Sequence, residues 1–388
     1  MREYPMSRLH KAFCYFFMPV CFAGAVFLFY RAAQSGGLRP MLGLLLLGLL
    51  CAFIGYYLMR EPRVMVVTID DQALTQRTVF STRTIPLNEL DGYREGEKEA
   101  FLLIPKQGKS LPLTKSIADR GELIGWIKVN YPDVDARARA EEEQLLLEDQ
   151  RFGATRNERE ETLVKTRKYT RLANVCGIGL GFWFALYPNP YDLTLALTFL
   201  TPLVALYVMW RARGLIRFFH VKSSPYPSIG VLLGFSIGGG MLRAVMGYHL
   251  YEFSSSVWML LLAGTVGLIL LTFLLTRAAL GGEKQRKWAF TGIVVGAALY
   301  SYGLVVNTNG HYDQSKAQII PVAVTGKRIS HGKITTYYVE LSPWGKYSEP
   351  AEVDVSKSFY NDVQVRDSVK VFLKPGRWGV SWYYLANY

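Results

Sequence analysis

Seven apolar runs constrain this chain before anything else does. Residues 12–30, 41–59, 172–187, 193–210, 229–251, 257–276 and 288–306 each approach or reach the ~20 residues that take a helix across a ~30 Å hydrocarbon core. Inside lipid a backbone must satisfy its own hydrogen bonds, so runs of this kind fold as helices. The expected fold class is a polytopic α-helical membrane protein of about seven transmembrane helices, with soluble parts between and after them.

A net charge of +13 suggests nucleic acid until its placement is considered. Residues 60–168 sum to −1 and residues 307–388 to +3, so the remaining +11 lies in the termini and loops beside apolar runs. That is how Lys and Arg set topology, and no nucleic-acid groove is expected. Arg2, Arg8 and Lys11 precede the first run, which reads as a retained signal anchor with a cytoplasmic N-terminus. SGGLRP turns the chain back. The link PNPYD carries no Lys or Arg, whereas RARGLIRFFHVK carries Arg211, Arg213, Arg217 and Lys222, and the link 277–287 carries four more basic residues. The alternation predicts a bacterial inner-membrane protein with its C-terminus outside.

Between the second and third runs the pattern changes. VMVVTID, ALTQRTVF, RTIPLNEL, AFLLIP and KSLPLTK read as short strands between turn residues, and ADRGELIGWIKVNY closes the stretch as an amphipathic helix with Leu123, Ile124, Trp126 and Ile127 near one face. Meandering strands closed by one helix, directly after two spans, resemble bacterial pleckstrin-homology-like domains, here over 60–132. Many such domains that bind phosphoinositides place basic residues in the first hairpin loop. That loop here is Asp70, Asp71 and Gln72, so the resemblance implies a protein partner or a role in ordering the spans.

Residues 133–168 are highly charged and predict a helical hairpin or stalk, with Asp133 or Asp135 capping the first helix, Gly153 stopping it, and a capping box at Thr155 and Glu158. No sustained heptad supports a dimerising hairpin around 145–147, which leaves a solvated stalk as the expected form. A five-helix bundle, 169–306, follows the two-helix hairpin of 1–59 and these soluble parts. Residues 307–388 are again strand-like, through IIPVAV, KITTYYVEL, AEVDV, SVKVFL and GVSWYYL, and predict a small all-β extracytoplasmic domain. It resembles, in shape, the small β-barrel domains that end some bacterial membrane proteins. Trp344, Trp378, Trp382, Tyr383 and Tyr384 are expected in its core or in a belt on the headgroups, with a ligand-stacking platform as the alternative.

Cys14, Cys21, Cys51 and Cys176 all fall inside predicted spans, and the five histidines are scattered without ligand spacing, so neither a metal site nor a cofactor is expected. The expected partners are the lipid bilayer and proteins bound through the two soluble domains, with a homo-oligomer as a further option.

The fifth run carries the candidate site. It holds a glycine triplet, Gly238, Gly239 and Gly240, then Arg243, and GFSIG at 234–238 fits the nucleophile-elbow pattern by letter. That pattern works because a strand–turn–helix exposes its serine to a histidine. Here the run is apolar at membrane length, and His249 lies roughly 20 Å from Ser236 along one helix, so no catalytic residue is assigned. Gly234 and Gly238 form a GxxxG pair, as do Gly177 and Gly181, and Gly292 and Gly296, which predicts close packing of these alternate spans. The triplet also fits a broken helix of the kind that binds ions in transporters. Arg243 lies roughly 21 Å into a ~30 Å core, from where its side chain reaches the outer headgroups, with Asp192 and Glu252 expected as partners. An anion or proton path is the alternative.

The expected function is therefore non-enzymatic: a link between a cytoplasmic module and an extracytoplasmic β-domain, as an assembly, scaffold or sensing factor. A transporter or channel using the fifth span and Arg243 is the second expectation.

Overall fold

The structure is a computed structural model describing all residues but 97–99, 277–282, 333–334 and 387–388, and the side chains of 283–288 also lie outside the description. Most of the basic link at 277–287 thus falls outside the described residues. The chain divides into two compact units, Met1–Leu146 with Val221–Pro225, and Leu147–His220 with Tyr226–Tyr388.

The first unit begins with a strand absent from the sequence reading, β1 (Arg2–Pro5). A helical hairpin follows, α1 (Arg8–Ala33) and α2 (Leu38–Val64), in which the Phe29 and Phe22 rings lie against Gly48 and Gly55. The chain then forms β2 (Val66–Ile69), β3 (Ala73–Arg77) and β4 (Thr82–Pro86), and β1 pairs antiparallel with β2 through Tyr4 and Val67. The result is a four-stranded sheet in the order β1-β2-β3-β4 whose first connection is the helical hairpin. A second sheet contains β5 (Leu90–Glu95), β6 (Phe101–Pro105) and β7 (Leu111–Leu113). Helix α3 (Arg120–Asn130) buries Leu123 and Ile127 in one core with Val67 and Leu74 of the first sheet and Leu103 of the second. Apolar residues alternate along these strands because each sheet has one dry face. The predicted domain 60–132 thus gains Arg2–Pro5, and α2 runs past the expected end at Met59 to Val64. Near that end Glu61 is buried, and its carboxylate accepts the Val79 N–H from the β3–β4 turn. Helix α4 (Val134–Glu148) follows, with Asp133 accepting from the Ala136 N–H at its start.

In the second unit α5 (Arg156–Leu186) opens with the expected capping box, Thr155 and Glu158 each accepting the other's backbone N–H. It runs unbroken from a charged half into the apolar run 172–187. Four more helices follow, α6 (Tyr191–Arg211), α7 (Gly230–Gly247), α8 (Ser255–Thr276) and α9 (Glu283–His311). Among the described residues six helices are long and apolar enough to cross a membrane: α1, α2, α6, α7, α8 and the Ala289–His311 part of α9.

Two boundaries differ from expectation. The fifth run leaves the helix at Gly247, and His249–Phe253 becomes a strand, β8. The last span continues past Val306 to His311, which puts Asn307 and Asn309 on a helix. The five strands expected in 307–388 form as β9 (Gln318–His331), β10 (Thr335–Leu341), β11 (Ala351–Val355), β12 (Ser368–Lys374) and β13 (Val380–Ala386). They make one antiparallel sheet with β8, in the order β11-β10-β9-β12-β13-β8. The sheet curls until its two edges meet. His249 on β8 lies 3.7 Å from Asp354 on β11, and the Tyr251 ring stacks on Trp344. Valines 322, 324, 339, 353, 369 and 371 fill the interior. Trp344 and Tyr383 are buried as expected of core residues, whereas Trp378 and Tyr384 are exposed.

Asp313, just past the last span, fastens this sheet at its base. Its carboxylate accepts from the Ser315 N–H and from Trp382 Nε1, each at 2.9 Å, with Lys374 Nζ at 3.8 Å. Burial pushes its pKa up, but the hydrogen bonds from Ser315 and Trp382, aided by Lys374, outweigh burial and hold it below the ordinary 3.8. A depressed folded pKa stabilises fully above the unfolded value and is lost as pH falls through the folded one. Thermal melts should therefore show the contribution of Asp313 unchanged from neutrality down to about 4 and lost only below 3.8, and Asp313→Asn should remove that acid-side dependence. An equal acid-side loss in the variant would assign it to other carboxylates.

Candidate functional site

Helix α7 sits among three neighbours, and its glycines decide how closely each approaches. Successive residues on a helix point about 100° apart, so Gly238, Gly239 and Gly240 face three directions. A Cβ on Gly239 would lie 2.5 Å from the Gly181 carbonyl oxygen of α5. On Gly240 it would lie 2.8 Å from the Phe199 ring of α6, while a Cβ on Gly303 of α9 would lie 3.1 Å from the Gly240 carbonyl carbon. Gly177 meets Leu232, and Gly181 meets Phe235, in the same way. The triplet is thus the point where four helices converge, and α7 passes through it as one continuous helix. The broken helix that the triplet also fits does not occur.

The predicted GxxxG faces need correcting. Gly177 and Gly181 do pack on α7, but Gly234 and Gly238 have no atom within 4 Å of a built Cβ. Gly296 approaches only the tip of Ile237, and Gly292 the Phe219 ring. The α7 glycine that meets α5 is Gly239, against Gly181, one residue around the helix from Gly238.

Amide side chains fix the same joints. Asn174 of α5 donates to the Ser228 carbonyl and accepts from the Leu232 N–H, capping the start of α7 from a neighbouring helix. Asn307 of α9 is fully buried, and its amide donates to the Gly240 and Gly303 carbonyls. Pro202 interrupts the hydrogen bonds of α6, and beside it the Tyr300 hydroxyl donates to the Phe199 carbonyl. Asn309 binds the sheet. Its amide donates to the Val380 carbonyl and its oxygen accepts the Trp378 and Val380 N–H groups.

Near the sheet, Arg243 closes a polar cluster. Its guanidinium lies 5.7 Å from the Tyr191 ring centre, and the His311 imidazole stacks on that ring at 4.1 Å. The Tyr191 hydroxyl donates to Asn307 Oδ1 and meets the Tyr248 hydroxyl at 3.4 Å. The expected Arg243–Asp192 pair does not form: Asp192 instead meets His311 Nε2 and accepts from the Tyr312 hydroxyl, both at 2.9 Å. Glu252 also points to another use, since it lies on β8 opposite Ser381. Arg243 Nε is buried without a hydrogen-bond partner among the described residues. The cluster places a cation beside two phenols at the bundle's sheet end.

Comparison with protein-family models, with curated proteins and with solved structures finds no match to this chain.

Ser236 is fully buried in α7, while His249 has left the helix for β8, where it faces Asp354 and stacks on Tyr383. The two do not form a nucleophile and base. No group of three or more His, Cys, Asp or Glu side chains able to hold a metal ion occurs among the described residues. The residues missed from the sequence are Asn174, Asn307 and Asn309. Each is an amide inside or at the edge of an apolar helix, where leaving it unpaired is expensive, and that rarity was the available signal.

Proposed function

We propose that this chain is a non-enzymatic, multi-pass protein of a bacterial inner membrane that couples a cytoplasmic pleckstrin-homology-like module to an extracytoplasmic β-domain, as an assembly, scaffold or sensing factor. The observation that carries this reading is β8. The α7–α8 connection donates a whole edge strand to the C-terminal sheet, and Asn309 at the end of α9 hydrogen-bonds the same sheet. Domain and bundle are thereby one mechanical piece, which suits transmission or scaffolding better than a tethered enzyme.

A seventh crossing by the apolar half of α5 completes the topology, with the N-terminus inside and the C-terminus outside. It is supported by the glycine contacts of α5 along α7 and by basic residues at the opposite end of α6 from the sheet. The pleckstrin-homology-like reading of the first unit is supported by its strand meander, four then three, closed by α3 around one core. The turn after β2 is held by Asp70, which accepts the Gln72 and Ala73 N–H groups, and its acidity favours a protein over an inositide as partner. A reporter that is active only outside the cytoplasm, fused after Tyr388, should be active. Activity of a cytoplasm-only reporter at that position, or turnover by the purified protein lost on Ser236→Ala, would overturn the proposal.

One observation favours a transporter instead, the buried and unpartnered Nε of Arg243. If the coupling reading holds, vesicles containing the protein pass chloride and phosphate no faster than empty ones, and Arg243→Gln changes nothing. Flux that Arg243→Gln lowers by about tenfold or more, the scale expected for a charge inside a membrane path, decides for transport.

A further inference from the structure

A groove lies between α6, α7, α8 and α9, with a volume of about 290 Å³. Phe219, Gly230, Gly234, Gly238, Leu268 and Gly296 are among its lining residues. Gly234 and Gly238, which the helix packing leaves unused, form its floor with no atom within 4 Å of a built Cβ. The hydroxyl of Thr272, which also lines it, donates to the Leu268 carbonyl of its own helix. The lining therefore offers a ligand no free polar group, and a polar solute entering it would lose its hydration without compensation.

One end of the groove is strongly basic. Leu206 on its wall is followed on α6 by Arg211, about 7.5 Å further along the axis, and then by Arg213 beyond the helix end. Both arginines are exposed, as is His220. Residues 193–251 contain no Asp or Glu, so no acid on α7, in the α6–α7 link or on α6 beyond Asp192 at its far end offsets this charge. A narrow apolar slot between helices long and apolar enough to cross a membrane, with cations at its mouth, matches the two ends of one molecule class.

We infer that this groove is a binding site for an anionic phospholipid, one acyl chain lying over Gly234 and Gly238 and the phosphate meeting Arg211 and Arg213. Basic pockets between spans on the cytoplasmic side recognise such headgroups through the same electrostatics. A helix of a second copy is a poorer fit, because with its side chains it is about 10–12 Å across, whereas an acyl chain is a single file of methylenes. The inference needs the bundle to lie in a bilayer and does not depend on what the two soluble domains bind.

The test is native mass spectrometry of the full chain released from nanodiscs of equal phosphatidylglycerol and phosphatidylcholine. Wild type should retain phosphatidylglycerol in preference, and Arg211→Gln and Arg213→Gln should each lower that preference about fivefold. The double variant Gly234→Leu, Gly238→Leu sets both Cβ atoms in open space and occupies the groove, so it should keep its melting temperature and lose the retained lipid. Retention of both lipids alike by wild type, or undiminished phosphatidylglycerol in the filled variant, overturns the site. So does a filled variant whose lipid is unchanged but whose mass falls from dimer to monomer, which would assign the groove to a second copy.

Discussion

Asn309→Leu is expected to detach the C-terminal sheet from the last span at a cost of about 3 kcal/mol, because it leaves the buried Val380 N–H and carbonyl and the Trp378 N–H without their partners. Each orphaned group keeps its desolvation penalty, and leucine returns nothing to them. Gly376, with a φ of +76°, approaches Asn309 so closely that a Cβ would lie 2.4 Å from its amide nitrogen, so the turn cannot shift inward to compensate. Limited proteolysis should then cut between α9 and β9, where the wild type resists, while the helical bundle stays intact. Asn309→Asp retains the acceptor for the two N–H groups and loses only the donor to Val380, so it should be cut more slowly. Equal resistance of wild type and Asn309→Leu would show that β8 alone holds the sheet.

Gly239→Leu and Gly238→Leu should differ as sharply as two adjacent residues can. At Gly239 the new side chain meets backbone of α5, with the Gly181 Cα 2.8 Å from the Cβ position, and neither helix can yield without opening the junction. Overpacking of this kind costs about 1–3 kcal/mol or more, since backbone rather than a rotatable side chain must move. At Gly238 the Cβ enters open space, and the change should be close to neutral in stability. Thermal unfolding in one detergent measures both. Equal destabilisation would mean that the α5–α7 contact runs through the face that the GxxxG spacing suggests.

That contrast shows what sequence spacing conveys. Gly234 and Gly238 share a face because four residues make about one turn, and the letters reveal that much. They do not reveal which face meets a neighbour, since α7 is small on three sides and the choice rests with Gly181 and Gly303 on other helices. Arg243 and Asp192 illustrate the same gap. Their positions along the helices were legible from counting residues, but their rotation about the helix axis was not, and His311 lies where Arg243 was expected. The helices themselves were easily read because hydropathy is a property of each run alone. The strands of the C-terminal sheet were read equally well for their alternation. HLYEF escaped because, directly after an apolar run, its residues extend a hydrophobic stretch as readily as they form a strand. REYP escaped because four residues show no period, and its partner Val67 lies beyond two spans.

The strand at Arg2–Pro5 also sets an order of events. It precedes α1 in the chain, yet its hydrogen-bonding partner β2 is made only after α2 is complete. The first sheet therefore cannot close during synthesis until both helices of the hairpin have emerged and brought Arg2–Pro5 back beside Val66–Ile69. A chain whose hairpin does not fold back keeps Arg2 away from Ile69, and its N-terminal domain is left with an open edge along β2. Completion of this small sheet thus registers that the helical hairpin inside its first connection has been made and folded back.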